Sequence, residues 1–316
     1  MFYLVTGGAG FIGSNLTEAL LSVGHRVRVL DNFLTGKREN LAGLAERFGG
    51  SFELAEGDLR DLEGTRKAAE GVDYVLHQGA LPSVPRSVAD PALTNAINVG
   101  GTVNLLVAAR DAGVRRVVFA ASSSAYGDTP ELPKRESMTP GPKSPYAAQK
   151  LAGEHYMRIF FEVYGLETVS LRYFNVFGPR QDPASMYAAV IPRFITSVLS
   201  GKAPTIYGDG LQTRDFTYID NVIEANLRAC GAPREACGKV FNIACGERVS
   251  LLDILEIVYG QAGRRVAPKF EPSRQGDVRD SLADISLAKA VLGYSPKVDF
   301  SAGLSRTFDF FKGTDR

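Results

Sequence analysis

Charge of either sign is almost cancelled in this chain: 36 Lys and Arg against 35 Asp and Glu leave a formal net charge of +1 over 316 residues. A chain so balanced has no whole-molecule field to gather nucleic acid or an anionic membrane. Cysteine is scarce and odd in number, and Cys230, Cys237 and Cys245 form no CxxC pair. That argues against a disulfide framework and for reduced thiols in a cytoplasmic protein. Long hydrophobic runs are missing too, since none approaches the roughly 18 residues of a spanning helix. Phe2-Tyr3-Leu4-Val5 already reads as a buried strand, which is not the pattern of a signal peptide. There is no internal repeat and no low-complexity linker. What is left, 45% hydrophobic and 22% charged residues, is ordinary globular composition with enough length for a large core.

The richest local signals begin at the N-terminus. A strand over Phe2 to Thr6 runs into Gly7-Gly8-Ala9-Gly10-Phe11-Ile12-Gly13, which opens a helix to about Val23. Glycines at 7, 10 and 13 make a GxxGxxG spacing: a tight turn at Gly7, backbone approach to a pyrophosphate at Gly10, helix-on-strand packing at Gly13. A second strand, Arg26 to Leu30, ends at Asp31, 18 positions beyond Gly13 and about where a ribose-binding carboxylate belongs. Such a carboxylate repels a 2′-phosphate, so NAD is favoured over NADP, with Lys37 and Arg38 as the opposing signal. A third strand (Ser51 to Ala55) leads to Asp58, a candidate partner of the adenine amino group. A fourth (Asp73 to Leu76) leads to the small-residue turn His77-Gln78-Gly79-Ala80, over which a dinucleotide can pass. His77 is read as a satisfied strand-end histidine rather than a catalyst.

Asp90-Pro91 caps a long helix through Asn98 to about Ala112, and Arg115 to Ala120 is a fifth strand ending in Ser122-Ser123-Ser124. Ser144-Pro145 then reads as an N-cap with a first-turn proline. On that helix Tyr146 and Lys150 are four residues apart and share a face. A lysine ammonium near a phenol favours the phenolate and lowers a pKa that is ordinarily about 10, making the pair a candidate base for a hydroxyl group. Glu167 to Leu171 is the sixth strand. Alternating βα units with near-continuous apolar strands predict an α/β fold with a doubly wound parallel (Rossmann) sheet. After Arg172 the rhythm changes: a helix over Val190 to Leu199, a short strand over Pro204 to Tyr207, and Phe216 to Ile219 and Val240 to Ile243 as further strands of the main sheet. The expected division is 1–174 plus 215–245 for the dinucleotide and 175–214 plus 246–316 for a smaller, interleaved substrate domain.

Gly7-x-x-Gly10-x-x-Gly13, Asp31, the serine cluster and Tyr146-x-x-x-Lys150 together resemble the extended short-chain dehydrogenase/reductases, in their nucleotide-sugar branch. The resemblance covers nearly the whole chain. It adds the stretch from Arg172 to Gln181, Ile206 to Gly210, Thr213 to Phe216, Gly276-Asp277-Val278 and Leu282-Ala283-Asp284. It implies a catalytic set of Ser122, Tyr146 and Lys150. It implies NAD contacts at Gly7, Gly10, Phe11, Ile12, Gly13, Asp31, Asn32, Gly36, Lys37, Asp58, Leu59, Gln78, Gly79, Ala80, Asn98, Tyr146, Lys150 and Tyr173. For the substrate it implies Ser83, Ser122, Ser123, Tyr146, Asn175, Ala189, Val190, Tyr207, Arg214, Arg274, Asp277 and Ser281, with Arg214 and Arg274 on the phosphates and Tyr207 on the uracil. A homodimer is implied as well, and no metal.

Within that branch, sugar 4,6-dehydratases carry Asp-Glu after the first catalytic hydroxyl and decarboxylases a Glu in the cluster, where this chain has Ser123 and Ser124. The resemblance therefore implies a 4-epimerase: Tyr146 takes the C4 hydroxyl proton, hydride passes to NAD, and the 4-keto sugar turns and receives hydride on its other face. The run 187–192 and the run 276–284 look like those of bacterial UDP-N-acetylglucosamine 4-epimerases. In that family the residue three before the Asp of Leu282-Ala283-Asp284 acts as gatekeeper: Tyr restricts the enzyme to UDP-glucose and UDP-galactose, and a small residue admits an N-acetyl group. Here it is Ser281. UDP-glucose or UDP-uronic acid 4-epimerisation is the alternative. A reductase using free NADPH is opposed by Asp31, and a catalytically idle scaffold by the presence of both Tyr146 and Lys150.

Overall fold

Strands as apolar as Tyr74-Val75-Leu76 need cover on both faces, and in the computed structural model of the protein they have it. Residues 1–183, 190–272 and 279–314 are described. Seven strands form one parallel sheet: β1 (Phe2–Thr6), β2 (Arg26–Asp31), β3 (Phe52–Glu56), β4 (Tyr74–His77), β5 (Arg116–Ser122), β6 (Glu167–Tyr173) and β7 (Lys239–Ile243). Their order is β3-β2-β1-β4-β5-β6-β7. The chain winds outward from β1 to β3, then returns to start again at β4, so a crevice opens where Thr6 and His77 end neighbouring strands. The strands expected from sequence are found with ends shifted by one or two residues.

Four helices matter for the site. Helix α1 (Phe11–Ser22) follows the glycine turn. Helix α2 (Pro91–Asp111) contains a π-turn at Ala96–Gly100. Helix α3 (Pro145–Tyr164) starts at Ser144, whose side chain accepts from Ala147 N at 3.2 Å. Helix α4 (Ile219–Gly231) precedes β7. Helix α2 corrects one expectation, because it is long and apolar enough by length and composition to cross a membrane. Half of it is buried here, with Leu105, Leu106, Ala108 and Ala109 packed on Val75, Val117 and Phe119 of the sheet.

Phe216 to Ile219 does not join the main sheet. Thr217–Tyr218 instead pairs with Val176–Phe177. The edge of β6 is taken by β7, with Lys239 beside Val169 and Ile243 beside Tyr173. Phe216 and Tyr218 are drawn to Phe177 and Phe300, with ring centroids 5.4–6.1 Å apart. Two more short pairs, Thr205–Tyr207 with Lys269–Glu271 and Thr213–Arg214 with Val249–Ser250, lie outside the main sheet. One apolar cluster runs from Val5 and Leu16 through Phe194 and Ile254 to Leu304, so both parts of the chain share a core.

Candidate active site

The glycine turn closes as its spacing requires. Gly7 has φ +66, and a Cβ there would meet Gly79 Cα at 2.7 Å; a Cβ on Gly13 would meet Gly7 O at 2.2 Å. Backbone of the β1 and β4 turns thus touches with no room for a side chain. Asp31 is buried at the end of β2, accepting from Ala9 N at 2.9 Å and Phe33 N at 2.8 Å. Gly36 backs onto it, where a Cβ would lie 2.8 Å from Asp31 Oδ1. Asp58 is held by the Arg60 guanidinium, which keeps its carboxyl far below the usual carboxylate range, and by Asn32 Nδ2 at 2.8 Å.

These groups wall a cavity of about 390 Å³. Its lining holds the sequence-assigned Gly7, Gly10, Phe11, Ile12, Gly13, Asp31, Asn32, Gly36, Asp58, Leu59, Gln78, Gly79, Ala80, Tyr146, Lys150 and Tyr173. The shape is long and glycine-floored, with a helix N-terminus at one wall and a buried carboxylate at a strand end. Those are the features a dinucleotide needs, and the residues present fit NAD. Two of the assigned residues do not line the cavity. Asn98 is buried in the π-turn, where its amide accepts from Leu81 N at 2.7 Å and donates to Gln149 Oε1 at 2.8 Å, so it holds the 79–81 turn against α3. Lys37 does not line the cavity, because its ammonium is drawn to Asp182 at 3.2 Å. Leu34, Leu81 and Ile97 line it unannounced, for an apolar wall has no motif. Val176 and Gln181 were legible only as part of the stretch from Arg172.

Strand β5 delivers Ser122 beside Tyr173 of β6, and α3 delivers Tyr146 and Lys150. Ser122 Oγ accepts from Ser124 N at 3.2 Å and Ser124 Oγ at 2.8 Å, and the Ser122 hydroxyl is near enough to the Tyr146 phenol to favour its ionised form. Lys150 Nζ donates to Ala120 O at 2.7 Å. Burial pushes the Tyr146 phenol up to about 12, opposed by the Ser122 hydroxyl. Burial brings Lys150 down to about 8, opposed by Glu154 one turn along α3. Lys150 is expected to favour the phenolate together with the positive charge of an oxidised nicotinamide; in the structure its ammonium donates to a backbone carbonyl, and burial sets the direction of the Tyr146 shift. A second positive charge beside the phenol favours the phenolate further. His77 bonds Thr6 Oγ1 through Nδ1 at 2.7 Å and Thr102 Oγ1 through Nε2 at 2.9 Å, and burial lowers it to about 3. It is neutral and structural.

On the substrate side, Ala189, Arg274 and Asp277 lie outside the described residues, as do 187–188, 276 and 278 of the two family-like runs. Val190 opens the helix Val190–Leu199. Ser83 is an N-cap, accepting from Arg86 N at 3.2 Å. Ser123 opens the short helix Ser123–Tyr126 just beyond β5. Tyr207 ends its short strand with the Arg193 guanidinium 5.9 Å from its ring. Arg214 Nη1 donates to Thr213 O at 2.9 Å and Arg279 O at 2.7 Å. Ser281 Oγ accepts from Asn175 Nδ2 at 3.2 Å and from Asp215 N at 3.3 Å. Asp215 itself was not singled out by sequence. Its buried carboxylate accepts from Cys245, Gly246 and Ala283 backbone N–H groups at 3.0–3.1 Å, tying the Ser281 segment to the end of β7.

A doubly wound sheet, a glycine-floored cavity lined by Tyr146 and Lys150, and Ser122 at the end of β5 are the arrangement of an enzyme that moves hydride at a carbinol carbon. Residues 3–244 match the NAD dependent epimerase/dehydratase family. A UDP-glucose 4-epimerase of Mycolicibacterium smegmatis is 42% identical over 311 residues, 98% of each chain. Among solved structures, the UDP-N-acetylglucosamine 4-epimerase of Methanobrevibacter ruminantium M1, in complex with UDP-N-acetylmuramic acid, is 40% identical with a TM-score of 0.93, covering 99% of this chain and 98% of its own. The UDP-glucose 4-epimerase of Thermus thermophilus, in complex with NAD, is 41% identical with a TM-score of 0.88, covering 99% of both. The chain belongs to the NAD dependent epimerase/dehydratase family, and within it stands with the UDP-sugar 4-epimerases.

Proposed function

We propose that the protein interconverts UDP-N-acetylglucosamine and UDP-N-acetylgalactosamine, and also takes UDP-glucose and UDP-galactose. The observation that carries this reading is Ser281, a small side chain held by Asn175 and Asp215 at the gatekeeper position. The 40% identical structure of a UDP-N-acetylglucosamine 4-epimerase supports it. Bound NAD supplies a reversible hydride acceptor and a positive charge beside the phenol. Tyr146 takes and returns the C4 hydroxyl proton, and Ser122 orients that hydroxyl. Lys150, anchored on Ala120 O, keeps its ammonium near the base. Ser123 and Ser124 offer no carboxyl group to drive loss of water, so the 4-keto sugar is retained and reduced. Arg214 and Tyr207 serve the UDP end, in the part of the chain formed by 175–214 and 246–316. The test is incubation with UDP-GlcNAc and with UDP-glucose, separately and without added NAD, with C4 inversion followed by NMR. Inversion of UDP-glucose alone would leave only the plain 4-epimerase reading.

Asp31 carries the cofactor choice. Asp31→Ala should raise the NAD lost on gel filtration and ease discrimination against NADP about tenfold, the scale of one charge-assisted hydrogen bond. Extraction and chromatography of the bound nucleotide measure both, and NADP bound tightly by the unaltered protein would refute the assignment.

We propose further that the protein is a homodimer. Pro145, Ala148 and Ala152 of α3 face a groove shared with Pro91, Ala92 and Asn95 of α2. The stripe continues at Tyr156, Ile159 and Val163, all exposed and spaced three or four apart. Ile159→Glu should yield monomers by sedimentation velocity, whereas an unaltered protein that sediments as a monomer would exclude the dimer.

A further inference from the structure

Beyond β6 the chain makes a turn that is costly to hold. Arg180 has a left-handed φ of +68, uncommon for a side chain of its size. At Gly178, φ is +154 and a Cβ would meet Ile219 Cγ2 at 2.6 Å. Such backbone persists only where the surroundings over-determine it, and three fastenings do so. Asn15 Nδ2, on α1, donates to Pro179 O at 3.1 Å. Arg180 pairs with Glu18, further along α1, both only partly exposed. Lys37 reaches Asp182 from the loop beyond β2.

Residues 178–182 thus cross from the end of the sheet to α1 and on to the loop after β2, the two elements that carry the glycine turn and Asp31. Gln181 shares the cavity lining with Gly10, Phe11 and Gly36. Its Nε2 donates to Val176 O at 3.0 Å, which fixes the side chain. Its Oε1 is buried and has no hydrogen-bond partner. A buried acceptor without a donor is costly, and because Gln181 lines the cavity a turn of its amide brings Oε1 to the ribose hydroxyls or carboxamide of a bound dinucleotide.

We propose that residues 178–182 are a strap that retains the dinucleotide, with Gln181 accepting from it and Asn15 and Glu18 fastening the strap to α1, so that cofactor release requires the strap to open. Lys37–Asp182 is a minor fastening, since Lys37 is exposed and Asp182 only half-buried, and such pairs contribute little. The Arg180–Glu18 pair is less exposed and charge-assisted, and is the main one. This rests on NAD being the cofactor and not on which UDP-sugar is used.

The experiment measures the rate at which purified holoprotein releases NAD into excess isotopically labelled NAD, with no sugar nucleotide present. Glu18→Gln and Gln181→Ala should each speed release about tenfold, and Asp182→Asn less than about threefold. Arg47→Ala removes the other partner of Glu18 without touching the strap and should leave release unchanged. The melting temperature of each NAD-stripped variant should match that of the stripped parent. Release unchanged in Glu18→Gln and Gln181→Ala would overturn the proposal. So would acceleration matched by Arg47→Ala, or accompanied by a fall in stripped-protein melting temperature, since Glu18 would then act through the packing of α1. These rates do not involve substrate, so failure of the proposed sugar specificity would leave them untouched.

Discussion

Tyr146→Phe is expected to lower turnover by about 10²–10⁴-fold, the range typical of a lost general acid–base group, with NAD content and UDP-sugar affinity near those of the parent. The ring remains to fill its site at the cavity wall, so only the hydroxyl is lost. The pKa pattern adds a second readout. Burial holds the phenol at about 12 and Lys150 at about 8, so the base form of Tyr146 is the minority species at neutral pH unless a further cation stands beside it. Phenolate absorbance at alkaline pH should therefore appear at lower pH in NAD-loaded protein than in stripped protein, and that component should be missing from Tyr146→Phe. Near-normal turnover in the variant, measured as C4 inversion by NMR with NAD confirmed present, would show that another group is the base.

How far this site was legible in the sequence depends on whether a residue's role is set locally. Gly7, Gly13 and Asp31 were legible because a strand–turn–helix fixes where they stand, and the close contacts at Gly79 and Gly7 O follow from that geometry. The N-cap at Ser144 and the shared face of Tyr146 and Lys150 are likewise local. The destination of Lys150 Nζ is not: a four-carbon stem reaches either the phenol or a strand carbonyl, and only the position of β5 decides for Ala120 O. Asn98 stands off the cavity wall for a related reason. A π-turn rotates side chains away from regular helical spacing, and its amide is turned to Leu81 and Gln149. Phe216 to Ile219 is a short apolar run that reads alike in a sheet of two strands or seven. Asp215, which gathers backbone donors from Cys245–Gly246 and from Ala283, was legible only as part of the stretch Thr213 to Phe216, because its partners lie far along the chain.

Ser281 is where geometry and chemistry permit a test of substrate choice. Ser281 N is fixed to Thr213 O at 3.1 Å, so the Cα cannot drift far. Its hydroxyl oxygen already accepts from Asn175 and Asp215, leaving the hydroxyl proton free to be donated to an acetamide carbonyl. A tyrosine ring cannot stay in the corner that this hydroxyl occupies and must project into the space beside it. Overpacking typically costs about 1–3 kcal/mol, or roughly 5- to 150-fold in kcat/KM at about 1.4 kcal/mol per decade. Ser281→Tyr should therefore depress activity on UDP-GlcNAc and UDP-GalNAc by that range while sparing or improving UDP-glucose and UDP-galactose. The exchange also deprives Asn175 Nδ2 and Asp215 N of an acceptor, a loss that does not depend on the sugar. Ser281→Ala isolates it: the volume stays open, and any loss should fall on both substrate pairs alike apart from the acetamide hydrogen bond. Steady-state kinetics on all four UDP-sugars separate the two effects. Equal losses on both pairs in Ser281→Tyr, or none on either, would show that this position does not shape the sugar pocket, and the activity would stand as UDP-hexose 4-epimerisation with breadth set elsewhere.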